Sequence, residues 1–119
     1  MSTESESEKL IAEIHREFRE GLPARLETMR DSLQILSESY ESEVAELFYR
    51  TAHSLKGTAP SFGADVLVPP SAALAEVGRR WFEDGRLSVE EVSAALVKLE
   101  QLSVAMAEYA AETEGGGAP

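Results

Sequence analysis

Apolar residues recur at helical spacings along nearly the whole chain. From Glu8 to Glu20, Leu10, Ile11, Ile14 and Phe18 return every three or four positions, which places them on one face of a helix. The stretch "GLP" at 21–23 punctuates that pattern. Pro23 suits the first residue of a second helix, where its missing N–H costs nothing. That helix carries Leu22, Leu26, Met29, Leu33 and Leu36 to about Ser37. The polar run "SESYESE" reads as a turn with several possible N-caps, and a third helix follows from about Ser42 to Ala59. Gly63 and the Pro69-Pro70 pair interrupt the chain next, so a fourth helix is expected only from about Ser71 to Asp84. After the turn "DGRLS", Ser88 with Glu91 three residues on forms a capping box. It opens a fifth helix, about Val89 to Glu112, expected to bury Val92, Leu96, Leu99, Leu102 and Met106.

These stripes need one another for cover. The simplest arrangement is all-α: an antiparallel up-down four-helix bundle with an additional N-terminal helix. The bundle domain is expected over residues 8–112, flanked by a flexible acidic tail at 1–7 and a tail or linker, "TEGGGAP", at 113–119. At 119 residues the chain fits one domain. A lone bundle of this kind is expected to be a monomer.

Charge narrows the function classes. Twenty-two acidic residues stand against 11 basic ones, for a net charge of −11. Nucleic-acid binding calls for a basic patch and is excluded as an expectation, and docking on anionic lipid is disfavoured on the same ground. No run approaches the roughly 18 apolar residues that a membrane span requires, and the polar, acidic start "MSTESESEKL" is unlike a secretory signal. A cytoplasmic protein is the expectation. With no cysteine and two histidines far apart, no metal site is expected. His15, among charged residues in "EIHREFRE", reads as a solvated surface histidine.

His53 is different. On the third helix, Val44, Leu47, Phe48, Thr51, Ala52, Leu55 and Ala59 fall on one side, the expected core face. At 100° per residue His53 lies roughly 160° from the centre of that stripe. Lys56 flanks it, Gly57 is its neighbour one turn on, and Tyr49 and Arg50 lie one turn before. A neutral imidazole so exposed is a good nucleophile toward phosphorus. An ammonium three residues on can offset phosphoryl charge. A mid-helix glycine costs about 1 kcal/mol relative to alanine, and a notch that lets a partner's backbone reach the imidazole is a reason to carry one.

The stretch "AHSLKGTAPSFGADVL", residues 52–67, resembles the signature of histidine-containing phosphotransfer (HPt) domains, approximately A-H-x-L-K-G-x-A-x-x-x-G-A-x-x-L. Ala52, His53, Leu55, Lys56, Gly57, Ala59, Gly63, Ala64 and Leu67 fall in register. The resemblance implies a helical bundle whose central pair presents His53 as phosphoacceptor, with Lys56 as charge stabiliser and Gly57 as access residue. Gly63 would make the turn between the central helices, as its tolerance of positive φ allows. Such domains carry a phosphoryl group between receiver-domain aspartates or accept it from a histidine kinase. They have no catalytic machinery or cofactor of their own, and the receiver supplies Mg²⁺.

Two features depart from the pattern. Pro60, two turns after His53 on about the same face, should kink or end the helix, and Pro69-Pro70 would delay the next one. Tyr49, Arg50 and Pro60 are candidates for the rim of a partner surface. Arg79 and Arg80 have two readings, cations turned toward His53 or ordinary surface arginines. Gly78 marks close packing or helix approach, and Trp81 and Phe82 read as core. Three functions follow: a phosphorelay intermediate, the phosphoacceptor domain of a chemotaxis-type kinase with "GGGAP" leading into a linker, or a helical adaptor that binds a receiver without phosphorylation.

Overall fold

The computed structural model describes residues 5–116, in four helices: α1 (Glu6–Glu38), α2 (Ser42–Thr58), α3 (Val68–Asp84) and α4 (Val89–Gly116). Two short 3-10 segments, Ala59–Phe62 and Asp65–Leu67, join α2 to α3. Each helix packs on the next and α1 closes against α4, with the broadest contact between α2 and α3. This is the all-α up-down bundle the apolar periodicity predicts.

The additional N-terminal helix does not exist as a separate element. Pro23 lies inside α1, which runs unbroken for 33 residues. Its proline forfeits one hydrogen bond, to the carbonyl of Arg19. The buried stripe Phe18, Leu22, Met29, Leu33 and Leu36 stays in helical register straight across "GLP", so packing on both sides holds the helix together. The helix also begins earlier than expected. Ser5 is the N-cap, its hydroxyl accepting from the Glu8 amide at 3.1 Å while the Glu8 carboxylate accepts from the Ser5 N–H at 3.3 Å. Residues 5–7 of the expected tail are therefore the cap and first turn; residues 1–4 lie outside the described part. At the other end α4 continues past Glu112 to Gly116, and residues 117–119 lie outside the described part.

Pro69-Pro70 does not delay α3. Both prolines occupy its first turn, where backbone N–H groups have no partner within the helix. At α4 the expected capping box is present: the Glu91 amide donates to Ser88 Oγ at 3.2 Å and the Ser88 N–H to the Glu91 carboxylate at 2.9 Å. Burial there falls on Val92, Ala95, Leu99, Leu102, Ala105, Met106 and Tyr109, whereas Leu96 is 47% exposed. On α2 it falls on Ala45, Phe48, Ala52, Leu55 and Ala59, and Leu47 is 49% exposed. Both leucines sit beside a stripe whose true members include alanines.

Trp81 is core, its ring 5.4 Å from that of Phe48, and its carbonyl accepts from the Tyr40 hydroxyl at 2.8 Å. Phe82, expected beside it in the core, is exposed. The α2–α3 connection is pinned by Phe62, which stacks on Phe18 with centroids 4.2 Å apart and receives the Tyr109 hydroxyl on its carbonyl at 3.2 Å. His15 meets Phe62 edge-on at 5.0 Å and is half-buried rather than free in solvent. Beyond Phe62, Leu10, Ile11 and Ile14 continue along α1 with much of their surface uncovered.

Candidate functional site

The site is a strip on the outer face of α2. Its inner face is fixed by the buried run Ala45, Phe48, Ala52, Leu55 and Ala59. His53 lies roughly 120° from the centre of that run and is exposed. Tyr49, one turn before, leans on it with ring centroids 5.5 Å apart and planes 36° from parallel. Lys56 and Gly57, one turn after, are exposed. Among the described residues no carboxylate lies within ion-pair distance of Lys56. Lys56 also sits in the last turn of α2, where a cation complements the negative end of the helix dipole.

Gly57 makes no internal demand for a missing side chain: a Cβ built on it meets nothing within 4 Å. The helix then ends as Pro60 requires. Pro60 offers no N–H to the Lys56 carbonyl, and the chain tightens into the 3-10 turn Ala59–Phe62. Gly63 stops that turn in the left-handed region, φ 67°, its N–H donating to the Pro60 carbonyl at 3.1 Å. Tyr49, His53, Lys56, Gly57 and the exposed Pro60 thus share one face, with Arg50 at its edge, held by Glu46 at 2.7 Å.

Helix α3 supplies the second wall. Gly78 is the point of closest approach: a Cβ there would stand 2.9 Å from both Tyr49 Cα and Phe48 Cδ1. It therefore marks close packing between helices, one turn from His53. The two arginines that follow it diverge, as 100° per residue dictates. Arg79 is gripped by Glu76 and, at 2.7 Å, by Glu83. Its hydrogen bonds hold the Glu76 carboxyl below its ordinary value, with smaller contributions from Arg80 and Lys56, and the same bonds hold Arg79 above its own. Arg80 reaches to Glu91 of α4 at 3.1 Å. Both arginines expected at the partner surface are thus engaged by acidic side chains of this chain.

On the other flank of α2, a groove of about 390 Å³ runs between α1 and α2, lined by Arg25, Thr28, Leu47, Arg50, Thr51 and Ser54 among others. Arg25 lies over the Phe18 ring at 5.6 Å, and its Nη1 is buried without a hydrogen-bond partner among the described residues. Sequence reasoning placed Leu47 in the core and so missed this groove. It also passed over Glu76, although its place three residues before Arg79 was a signal for an ion pair.

A helical bundle that holds a bare imidazole at mid-helix, with a cation and an unobstructed glycine one turn on, has the layout of a carrier for a transferable group. A comparison with protein-family models matches residues 13–112 to the Hpt domain. The chain belongs to the Hpt family, whose members are phosphocarrier modules that work with receiver domains and kinases in two-component signalling. Searches of curated proteins and of solved structures each found no significant match. Among the described residues no helix is long and apolar enough to cross a membrane.

Proposed function

We propose that the chain is a phosphorelay intermediate: His53 takes a phosphoryl group from a receiver-domain aspartate, or from a histidine kinase, and passes it to the aspartate of another receiver. The observation that carries this reading is the exposed imidazole beside Lys56 and the open Gly57 within a chain of the Hpt family. In the forward step an imidazole nitrogen attacks phosphorus, an N–P bond forms, and the acyl phosphate O–P bond breaks to release the donor carboxylate. Lys56 offsets charge on the phosphoryl oxygens of phospho-His53. Gly57 leaves room for the partner's backbone. Tyr49, Arg50, Pro60 and Arg79 form the rim against which a receiver seats, and the α1–α2 groove with Leu47 extends that surface. Mg²⁺ comes with the receiver, and the chain works in the cytoplasm as a monomer.

The experiment is phosphotransfer onto purified protein from a panel of phosphorylated receivers, and separately from kinase with ATP, comparing wild type with His53→Gln. Label that is acid-labile, base-stable and lost in His53→Gln is the expected result. Transfer from receivers supports the relay, while transfer from the kinase alone points to a phosphoacceptor domain of a chemotaxis-type kinase. A wild type that binds a receiver yet takes no label from any donor would make the chain an adaptor.

A further inference from the structure

Resting on the reading of His53 as phosphoacceptor, we propose that Glu76 is a built-in counter-ion that keeps phospho-His53 short-lived. It does so by competing with the phosphoryl group for Arg79, the cation that α3 offers on the side of the histidine. The geometry begins at the contact of Gly78 with Tyr49, which fixes the antiparallel register of α3 on α2. Helical side chains lean toward the N-terminus of their own helix. Counting from that contact, Arg79 leans to the level of the Tyr49–His53 turn. Glu76 on α3 and Lys56 on α2 lean toward each other, to the level of the His53–Lys56 turn.

Glu76 is where Arg79 meets an acid, whereas no described carboxylate lies within ion-pair distance of Lys56. Two nitrogens of Arg79 hydrogen-bond its carboxylate, Nε at 3.2 Å. Those bonds hold the Glu76 carboxyl below its ordinary value, with smaller contributions from Arg80 and then Lys56. With Glu83 also on Arg79, the α3 trio of Glu76, Arg79 and Glu83 carries a net charge of −1. A surface that bound the dianion for storage would leave Arg79 free.

The chemistry gives the effect its sign. When phospho-His53 gives up its group, the N–P bond breaks and the imidazole, protonated beforehand on its other nitrogen, keeps the electron pair and leaves as neutral histidine. A new P–O bond forms to water or to an acceptor carboxylate. In the loose transition state the phosphoryl oxygens carry less negative charge than in the ground state. Cations bound to those oxygens therefore slow departure, and an acid that draws the cations away speeds it. Glu76 makes this chain a donor rather than a store.

The test needs no partner. His53 is phosphorylated with phosphoramidate, whose own P–N bond breaks to release ammonia, and decay of the phosphohistidine signal is followed by ³¹P NMR. At low ionic strength Glu76→Gln is expected to lengthen the lifetime about threefold to tenfold, the size of one charge acting on a dianion across a helix contact. The gain shrinks in about 0.5 M salt, vanishes in the double variant Glu76→Gln/Arg79→Gln, and is absent in Glu76→Asp, which restores the charge. Glu76 is 57% exposed, so these variants retain the fold, as circular dichroism checks. A Glu76→Gln lifetime within about 1.5-fold of wild type at low salt overturns the proposal while leaving the carrier reading intact. A wild type that takes no label on His53 overturns both.

Discussion

At the scale of single residues, Gly57 separates what the fold needs from what a partner needs. Nothing in the molecule crowds its missing Cβ, so an alanine there fits, and helix propensity favours it by about 1 kcal/mol. Gly57→Ala is therefore expected to raise the midpoint of urea denaturation while slowing transfer from a phosphorylated receiver by about tenfold or more, the cost of displacing a reacting pair. Unchanged transfer would mean that partners do not approach over Gly57. His53, Lys56 and Gly57 were legible because each depends on one helix and its period. Leu47, Leu96 and Phe82 were misplaced because alanine carries little hydrophobic signal. Ala45, Ala52, Ala59 and Ala95 are core, yet the bulkier neighbours drew the stripe toward themselves.

At the scale of elements, the contact that matters most to the site is between α2 and α3, and Gly78 sets its distance. Gly78→Ala would push a methyl against the backbone of Tyr49 and the ring of Phe48. The expected cost is about 1–3 kcal/mol, read by thermal or chemical denaturation, with slower phosphotransfer because Tyr49 carries the turn that supports His53. Retained stability would mean that α3 can slide without loss. Sequence gave the existence of this contact as one of two readings of a glycine and left the partner residues unknown, since those depend on three-dimensional register. Prolines misled in a consistent way. The local geometry of Pro23 and Pro69-Pro70 predicts boundaries, while packing along Phe18–Leu36 carries α1 through one and the unpaired first turn of α3 accepts the others. Pro60 ends α2 as its chemistry requires, the chain tightening there into the 3-10 turn that Gly63 stops.

At the scale of the whole molecule, the four helices make a rod 60 × 22 × 19 Å with a net charge of −11. That charge repels acidic partners at a distance, and the cations around α2, among them Lys56, Arg50 and Arg25, stand out against it. The fold class was written in the periodicity, but the length of α1 was not. The cap residue Ser5, which starts the helix together with Glu8, lies inside a segment whose composition reads as a tail. The uneven cover of α1 has a consequence in time rather than in space. Its second half is clamped by Met29, Leu33 and Leu36, each almost wholly buried, while Leu10 and Ile11 near its start are more than half exposed. Amide hydrogen exchange should then divide one continuous helix into two regimes, fast from Glu6 to His15 and slow from Met29 to Leu36, the slow set approaching the exchange of global unfolding. Uniform protection along α1 would show that the first turns have found cover. If the division holds, the chain keeps a reservoir of local opening at the end away from Tyr40 and Trp81, and opening there leaves the slowly exchanging half of α1 in place beneath α2.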